Sequence, residues 1–216
     1  MKTLGTAIIM KNEEEMLPRC LNSLKGIDQI VCLDTGSTDS TVEIAKKYTD
    51  KVYTHYTWNS DFAEARNEAL KFLETDWCLV IDCDEVLADG GIQKIKNFLN
   101  SGSAYKYDAI TLPVITMAED GNQARVHKRI PEIYWERPAH NILVHDHTKE
   151  YHLDVKVYSD FSPAHHANPT RTIQILTESI AKDPADLRNY FYMGREFMFK
   201  GDVGSAMYFF QKYLEK

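Results

Sequence analysis

The residues best suited to chemistry lie in the segment Trp77–Glu85, WCLVIDCDE. Cys78, Leu79, Val80 and Ile81 form a short apolar run bounded by charge, which predicts a strand buried on both faces in a parallel sheet. The run ends in Asp82, Cys83, Asp84 and Glu85, at the C-terminal tip where open α/β sheets place their ligands. Asp82 and Asp84 are two apart, so in an extended chain both side chains point the same way. Two convergent hard oxygen donors suit Mg²⁺ or Mn²⁺, ions that bind mainly to phosphate-bearing substrates. The plainer alternative is an acidic loop after a strand.

Three further groups offer chemistry. Asp34-Thr35-Gly36-Ser37-Thr38-Asp39 follows an apolar run and precedes a helical pattern; a glycine turn there lets backbone approach a ligand, and Asp34 can accept from a base or ribose. Arg66-Asn67 lies in FAEARNEALKFLE, where small alanines face inward; Arg66 can meet a pyrophosphate in fork geometry, or pair with Glu64 or Glu68 on the surface. Seven of the eight histidines fall between His127 and His166. His165 or His166 can complete a cation site begun by Asp84, since imidazole is acceptable to Mn²⁺-type ions, and His140 can act as a base or phosphate contact. For any one of them a structural role competes. Glu119-Asp120 reads as part of a solvent hairpin rather than a catalytic pair.

The elements that must position these groups alternate over residues 4–100. Strands are predicted at Leu4–Met10, Ile30–Leu33, Lys51–Thr54 and Trp77–Asp82, with helices at Glu13–Leu24, after Ser37 or Asp39, at Asp61–Glu74 and over 91–100. Strands separated by helices imply βαβ crossovers and a mainly parallel sheet. The character changes beyond residue 100. Ala109–Met117 and Gln123–Ile130 flank a hairpin signature, Glu119-Asp120-Gly121-Asn122. Tyr134-Trp135, Ile142–Val144 and Val155–Tyr158 add short strands, expected to extend the sheet with antiparallel pieces. From Asn168-Pro169-Thr170 onward the pattern is helical, broken at Asp183-Pro184 and again at Gly201-Asp202. The expected organisation is 1–168, divided into 1–100 and 101–168, followed by a helical tail at 169–216.

The totals exclude some classes. Net charge is −7, from 25 basic and 32 acidic residues, which argues against a general nucleic-acid surface. Cys20, Cys32, Cys78 and Cys83 form no C-x-x-C pair, so a reduced, cytoplasmic setting is expected. No stretch reaches the roughly 18 apolar residues of a spanning helix, and the opening MKTLGTAIIMKNEEE is too quickly acidic for a signal peptide.

Together TAIIMKNEEEMLPRCLNSL, IVCLDTGSTDSTVEIAKKY, FAEARNEAL and WCLVIDCDE resemble family 2 glycosyltransferases of the GT-A fold, in order and spacing, over about the first hundred residues. The resemblance implies an α/β GT-A fold and an enzyme that moves a sugar, with inversion, from a nucleotide-sugar to an acceptor hydroxyl. UDP is the first expected nucleotide, and the acceptor a glycan, protein or lipid-linked hydroxyl. It implies Asp84 as the direct Mn²⁺ or Mg²⁺ ligand, with Asp82 on ribose or on the metal through water; the residue types alone add His165 as the expected further ligand. Asp34 and Arg66 would contact the nucleoside side, with Lys11, Asn12, Glu13 and Cys83 in the same donor-binding set. The stretch Trp135…His140 is similar to a W-x(n)-H-E segment of some members, with Asn141 in place of the glutamate. His140 is the first candidate base, ahead of Asp146 and Glu132.

The tail resembles a tetratricopeptide repeat at Tyr190, Met193, Gly194, Phe197, Ala206 and Phe210, which implies either packing on the catalytic domain or a chain that is one part of a longer protein, with the tail open to a protein partner. Two other readings stand beside this one. VIDCDEV also fits the nucleophile motif of haloacid-dehalogenase-type phosphatases, with Asp82 phosphorylated. A non-catalytic scaffold binding partners through its tail is the other.

Overall fold

The structure, a computed structural model, describes residues 1–117, 120–160, 162–163 and 168–215. Strand β1 (Leu4–Met10) lies at the centre of the first half, paired in parallel with β2 (Gln29–Asp34) on one side and with β4 (Trp77–Leu79) on the other. A two-residue β3 (Val52–Tyr53) adds to β2, also in parallel. The order β3-β2-β1-β4 thus changes direction at β1, the kind of switch point where α/β sheets open a crevice. Helices α1 (Leu17–Ser23), α2 (Thr41–Ala45) and α3 (Phe62–Lys71) make the crossovers. Pro18 lies at the start of α1, so residues 13–16 form a turn instead of the expected first helical turn. Asp61 caps α3 by accepting from the Glu64 amide at 2.9 Å.

Among the described residues the sheet has nine strands. Strand β7 (Gly121–Lys128) runs antiparallel to β4, and β6 (Ala109–Ile115) antiparallel to β7. Beyond them lie β11 (Val157–Ser159), parallel to β6, and β5 (Glu85–Leu87), antiparallel to β11; β10 (Glu150–His152) also pairs with β6 in parallel. Helix α4 (Gly91–Leu99) follows β5 and buries Ile92, Ile95 and Leu99. Three expectations change here. The second half adds parallel strands as well as antiparallel ones. Strands β8 (Tyr134–Glu136) and β9 (Ile142–Val144) form a separate ribbon instead of extending the sheet. Gly121 and Asn122 lie inside β7, opposite Val114 and Pro113, so the hairpin turns before them; Glu119 lies outside the described residues.

The main core packs Leu4, Ile8, Leu79, Ile81, Ile110 and Val126 with the inner faces of α1 and α4. Cys20, Cys32, Cys78 and Cys83 are all buried free thiols. The last helices are α5 (Arg171–Lys182), α6 (Leu187–Phe199) and α7 (Val203–Leu214). A side chain at Gly194 of α6 would place its Cβ only 2.6 Å from the Phe210 ring of α7, so glycine permits this close crossing. Ile175, Leu176 and Met193 pack with Ala139, Trp58 and Phe62, which seats the tail on the α/β part. No helix among the described residues is long and apolar enough to cross a membrane.

Candidate active site

The tips of β1, β2 and β4 open into a cavity of about 880 Å³. Lys11, Asn12 and Glu13 enter it from the end of β1, Thr35 from the end of β2, and Asp82, Cys83 and Asp84 from the end of β4. Arg66 of α3 and His140 beyond β8 line it too. The opposite wall is the first tail helix, through Arg171, Gln174, Ile175 and Glu178. Eight of the sequence-predicted site residues therefore meet in one place: Lys11, Asn12, Glu13, Arg66, Asp82, Cys83, Asp84 and His140. Backbone strain gathers here as well. Four described non-glycine residues have positive φ, and Asn12 (56°), Ser60 (66°) and His140 (46°) all line this cavity. Such conformations persist only where the surroundings over-determine them, commonly at ligand sites.

The acidic pair is displayed by a turn, not by extended chain as the two-residue spacing suggested. The strand ladder stops at Leu79, and the Glu85 amide donates to the Asp82 carbonyl at 3.0 Å, turning the chain at Cys83-Asp84. Glu85 secures that turn. Its Oε2 accepts from the Asp82 amide at 2.9 Å, and Arg125 of β7 grips the same carboxylate in two-pronged fashion at 2.7 and 2.9 Å. Burial pushes the Glu85 pKa up, and the guanidinium opposes that rise without cancelling it.

Arg66 does not pair with Glu64 or Glu68. Its Nη2 donates to Asp82 Oδ1 at 2.7 Å, and its guanidinium lies over the Trp135 ring at 5.0 Å. Burial lowers its pKa and the Asp82 charge raises it, with the net shift upward. Its Nε is buried without a hydrogen-bond partner among the described residues, so one donor of a cavity-lining cation remains open. The neighbouring Asn67 holds the Trp135 platform by bonding its backbone twice, at 2.8 and 2.9 Å.

Glu13 is tucked against the acidic pair. Its carboxylate accepts from the Ser162 hydroxyl at 2.6 Å. Burial pushes its pKa up to about 7, with the charges of Asp84 and Asp82 adding and the Ser162 bond and Arg171 opposing. Asn12 joins two strand tips, its amide donating to Ser37 Oγ at 3.0 Å and its Oδ1 accepting from Thr38 N at 2.8 Å. Asp34 is placed differently from expectation. Its carboxylate accepts from the Gly36 and Ser37 amides at 3.0–3.2 Å, so it folds its own turn and does not line the cavity.

His140 is held from the tail. Its ring stacks on Tyr192 of α6 at 3.9 Å, and its Nε2 lies 3.1 Å from Glu196 Oε1. The other two candidate bases do not line the cavity: Asp146 accepts from Thr148, and Glu132 is exposed. His165, the expected further metal ligand, lies outside the described residues. Sequence reasoning missed Arg125, Glu196 and Arg171. Arg171 stands over the Phe62 ring at 5.0 Å and faces the Glu13 and Asp84 charges. Only its position just after Asn168-Pro169-Thr170, where the helical pattern begins, hinted at a helix start, and nothing local pointed it at the strand tips.

A parallel β3-β2-β1-β4 sheet continued by antiparallel strands, with acids at the tip of β4, is the GT-A architecture. Residues 6–155 match Glycosyl transferase family 2, and the chain belongs to that family. It is similar to the glycosyltransferase SunS of Bacillus subtilis, 26% identical over 208 residues, 90% of this chain and 49% of that protein. It also resembles a TPR repeat-containing protein of Synechococcus elongatus, 32% identical over 150 residues, 66% of this chain and 36% of that one. The chain thus spans between about a third and a half of these relatives' length.

Among solved structures, Staphylococcus aureus TarS in complex with UDP-GlcNAc aligns with a TM-score of 0.59 at 16% identity, covering 91% of this chain and 73% of that one. Glucosyl-3-phosphoglycerate synthase of Mycobacterium tuberculosis with Mn²⁺ and UDP-glucose aligns at 0.57 and 13% identity, over 82% and 78%. These likenesses establish the fold. Family membership replaces the phosphatase reading of Asp82.

Proposed function

We propose that the chain transfers a sugar from a nucleotide-sugar, UDP-linked first, to an acceptor hydroxyl, with inversion and with a divalent cation at Asp84. The observation that carries this reading is the single cavity that gathers Asp82, Asp84, Arg66 and the Lys11–Glu13 tip at the ends of parallel strands. Its volume of about 880 Å³ suits a nucleoside diphosphate sugar. The solved neighbours described with UDP-GlcNAc, and with Mn²⁺ and UDP-glucose, favour the same donor class.

The donor set fits such an ion. Asp82, Asp84 and Glu13 bring hard oxygens to one place; burial is the main cause of the raised Glu13 pKa, and the Asp84 and Asp82 charges that add to it are the kind a cation relieves. Asp84 would hold Mn²⁺ or Mg²⁺ directly and Asp82 through water; when bound, the ion stabilises the charge gathering on the nucleoside diphosphate. Arg66, oriented by Asp82 and Trp135, offers its guanidinium to the nucleoside diphosphate. Asn12 and Lys11 border the base pocket at the tip of β1.

His140 serves as the base. Donation from Nε2 to Glu196 leaves Nδ1 with the lone pair. The acceptor oxygen bonds to the anomeric carbon, the bond from that carbon to the diphosphate oxygen breaks, and the hydroxyl proton passes to the imidazole. A screen of UDP-, GDP- and dTDP-sugars for Mn²⁺-dependent hydrolysis without acceptor tests the reading. One donor should be hydrolysed, with the activity lost on chelation. No hydrolysis and no thermal shift with any nucleotide plus Mn²⁺ would favour the scaffold reading.

A further inference from the structure

A second cluster of ligating side chains lies outside the donor cavity. His145 follows β9, His147 stands in the short 3-10 turn His147–Lys149, and Glu150 opens β10. The Nε2 of His145 and the Nδ1 of His147 approach the same oxygen, Glu150 Oε1, at 2.6 and 2.8 Å. One ligand atom from each residue lies within 4.8 Å of the others. His145 is built in rather than loosely placed. Its side chain is 2% exposed, and its Nδ1 is 2.9 Å from the Leu143 carbonyl.

That carbonyl can only accept, so Nδ1 carries the hydrogen and Nε2 is the nitrogen left with a lone pair. A lone pair and a carboxylate oxygen 2.6 Å apart need a cation between them, either a proton or a metal ion. We propose that His145, His147 and Glu150 form a site for a Zn²⁺-class ion, separate from the cation site at Asp84. Two imidazoles and one carboxylate suit zinc, and three protein ligands leave a coordination position open. Metal–ligand bonds of about 2.0–2.2 Å place ligand atoms roughly 3.3 Å apart in a tetrahedron. Exposed His147 and half-buried Glu150 reach that spacing by small side-chain rotations.

The location gives the site a consequence. All three residues line a cavity of about 390 Å³ that also touches Arg66, Asp82 and Trp135, so it borders the donor cavity. Among the described residues the ribbon β8–β9 has no ladder to the main sheet, whereas β10 pairs with β6. An ion here ties that ribbon to the sheet and so fixes the wall that carries Trp135. The cavity would supply the remaining position with water or an oxygen of a bound molecule.

The inference stands independently of the donor reading. The test uses untagged protein stripped by chelation and titrated with Co²⁺, then Zn²⁺. One equivalent of Co²⁺ should give the visible absorption of a four- or five-coordinate ion, and Zn²⁺ should abolish it. His147→Ala and Glu150→Gln, at positions accessible enough to leave the fold intact by circular dichroism, should each weaken binding about tenfold or more. Asp84→Ala should leave it unchanged. Absence of a stoichiometric band would mean that a proton bridges the cluster. Equal binding by both variants, or loss of the band in Asp84→Ala, would place the ion elsewhere; each of these overturns the proposal.

Discussion

The two walls of the main cavity are built by different physics. The sheet-side wall consists of strand tips backed by paired charges: Glu85 with Arg125, both buried behind the wall, and half-exposed Asp82 with Arg66. The tail-side wall is a helix seated by aromatic and aliphatic contacts, with half-exposed polar groups facing in. His140 sits between them, its backbone tied to the β8–β9 region and its ring fastened to Tyr192 and Glu196 of the tail. The difference teaches where stability and turnover should separate. Substitutions in the buried ion pair behind the sheet-side wall disturb the fold, whereas those at its partly exposed tip and in the tail-side wall act on the reaction while leaving the fold nearly as stable.

The largest effect is expected where the sheet wall is most buried. Arg125→Met leaves Glu85 inside with no counter-charge, and removing one partner of such a pair costs about 3–5 kcal/mol. Urea unfolding should show that loss, and the double variant with Glu85→Gln should recover much of it. A loss below about 1 kcal/mol would mean that water reaches Glu85, and the contrast between the walls would weaken. Asp84→Ala comes next. It lies on the turn, partly exposed, so the fold should hold while transfer falls about 10³-fold, of the order expected when charge stabilisation of a leaving group is lost. Near-normal transfer by a folded variant would remove the metal role.

The same contrast explains what the sequence made legible. Strand tips advertise themselves locally: an apolar run ending in Asp82-Cys83-Asp84-Glu85 encodes both its burial and its chemistry within nine residues. For that reason the four parallel strands and most of the residues that line the cavity could be read from the chain. The display of the acidic pair could not, because the turn depends on Arg125, forty residues away and unremarkable in sequence. Asp34 shows what local reading leaves out. An aspartate two residues before a glycine turn satisfies its own backbone, and that local need took the carboxylate. Arg171 and Glu196 belong to helices whose periodicity shows only which face packs, so their reach into the site depends on tertiary seating.

A pH experiment probes the sheet side from within. His127 of β7 is buried beside β4, and burial lowers its pKa to about 4. Between that value and its ordinary 6.5, the unfolded chain binds a proton that the folded chain refuses, so stability is full above pH 6.5 and falls with acid. His127→Leu should remove this term, and its buried Nε2 has no hydrogen-bond partner to lose among the described residues. Relative to wild type, the variant should lose about 2 kcal/mol less between pH 7.5 and pH 5. Glu13 acts with the opposite sign. Raised from 4.5 to about 7, it contributes stability that is present below 4.5 and lost as pH rises through 7, so Glu13→Gln should flatten the neutral side. Parallel profiles for wild type and both variants would mean that neither burial persists in solution.

The smallest effect belongs to the tail wall and is the sharpest test of the comparison. Glu196→Gln keeps a hydrogen-bond acceptor beside His140 and removes only the charge. If Glu196 orients and supports His140 as it takes up a proton, kcat should fall about tenfold, worth roughly 1.4 kcal/mol, while the donor KM stays unchanged. The melting temperature should hardly move, because the Tyr192 stack still fixes the ring. A role confined to packing would produce the reverse pattern, with lower stability and unchanged kcat. A fall in kcat matching that of Asp84→Ala would erase the distinction between the walls, since it would place the tail's carboxylate at the centre of the chemistry rather than behind the residue that performs it.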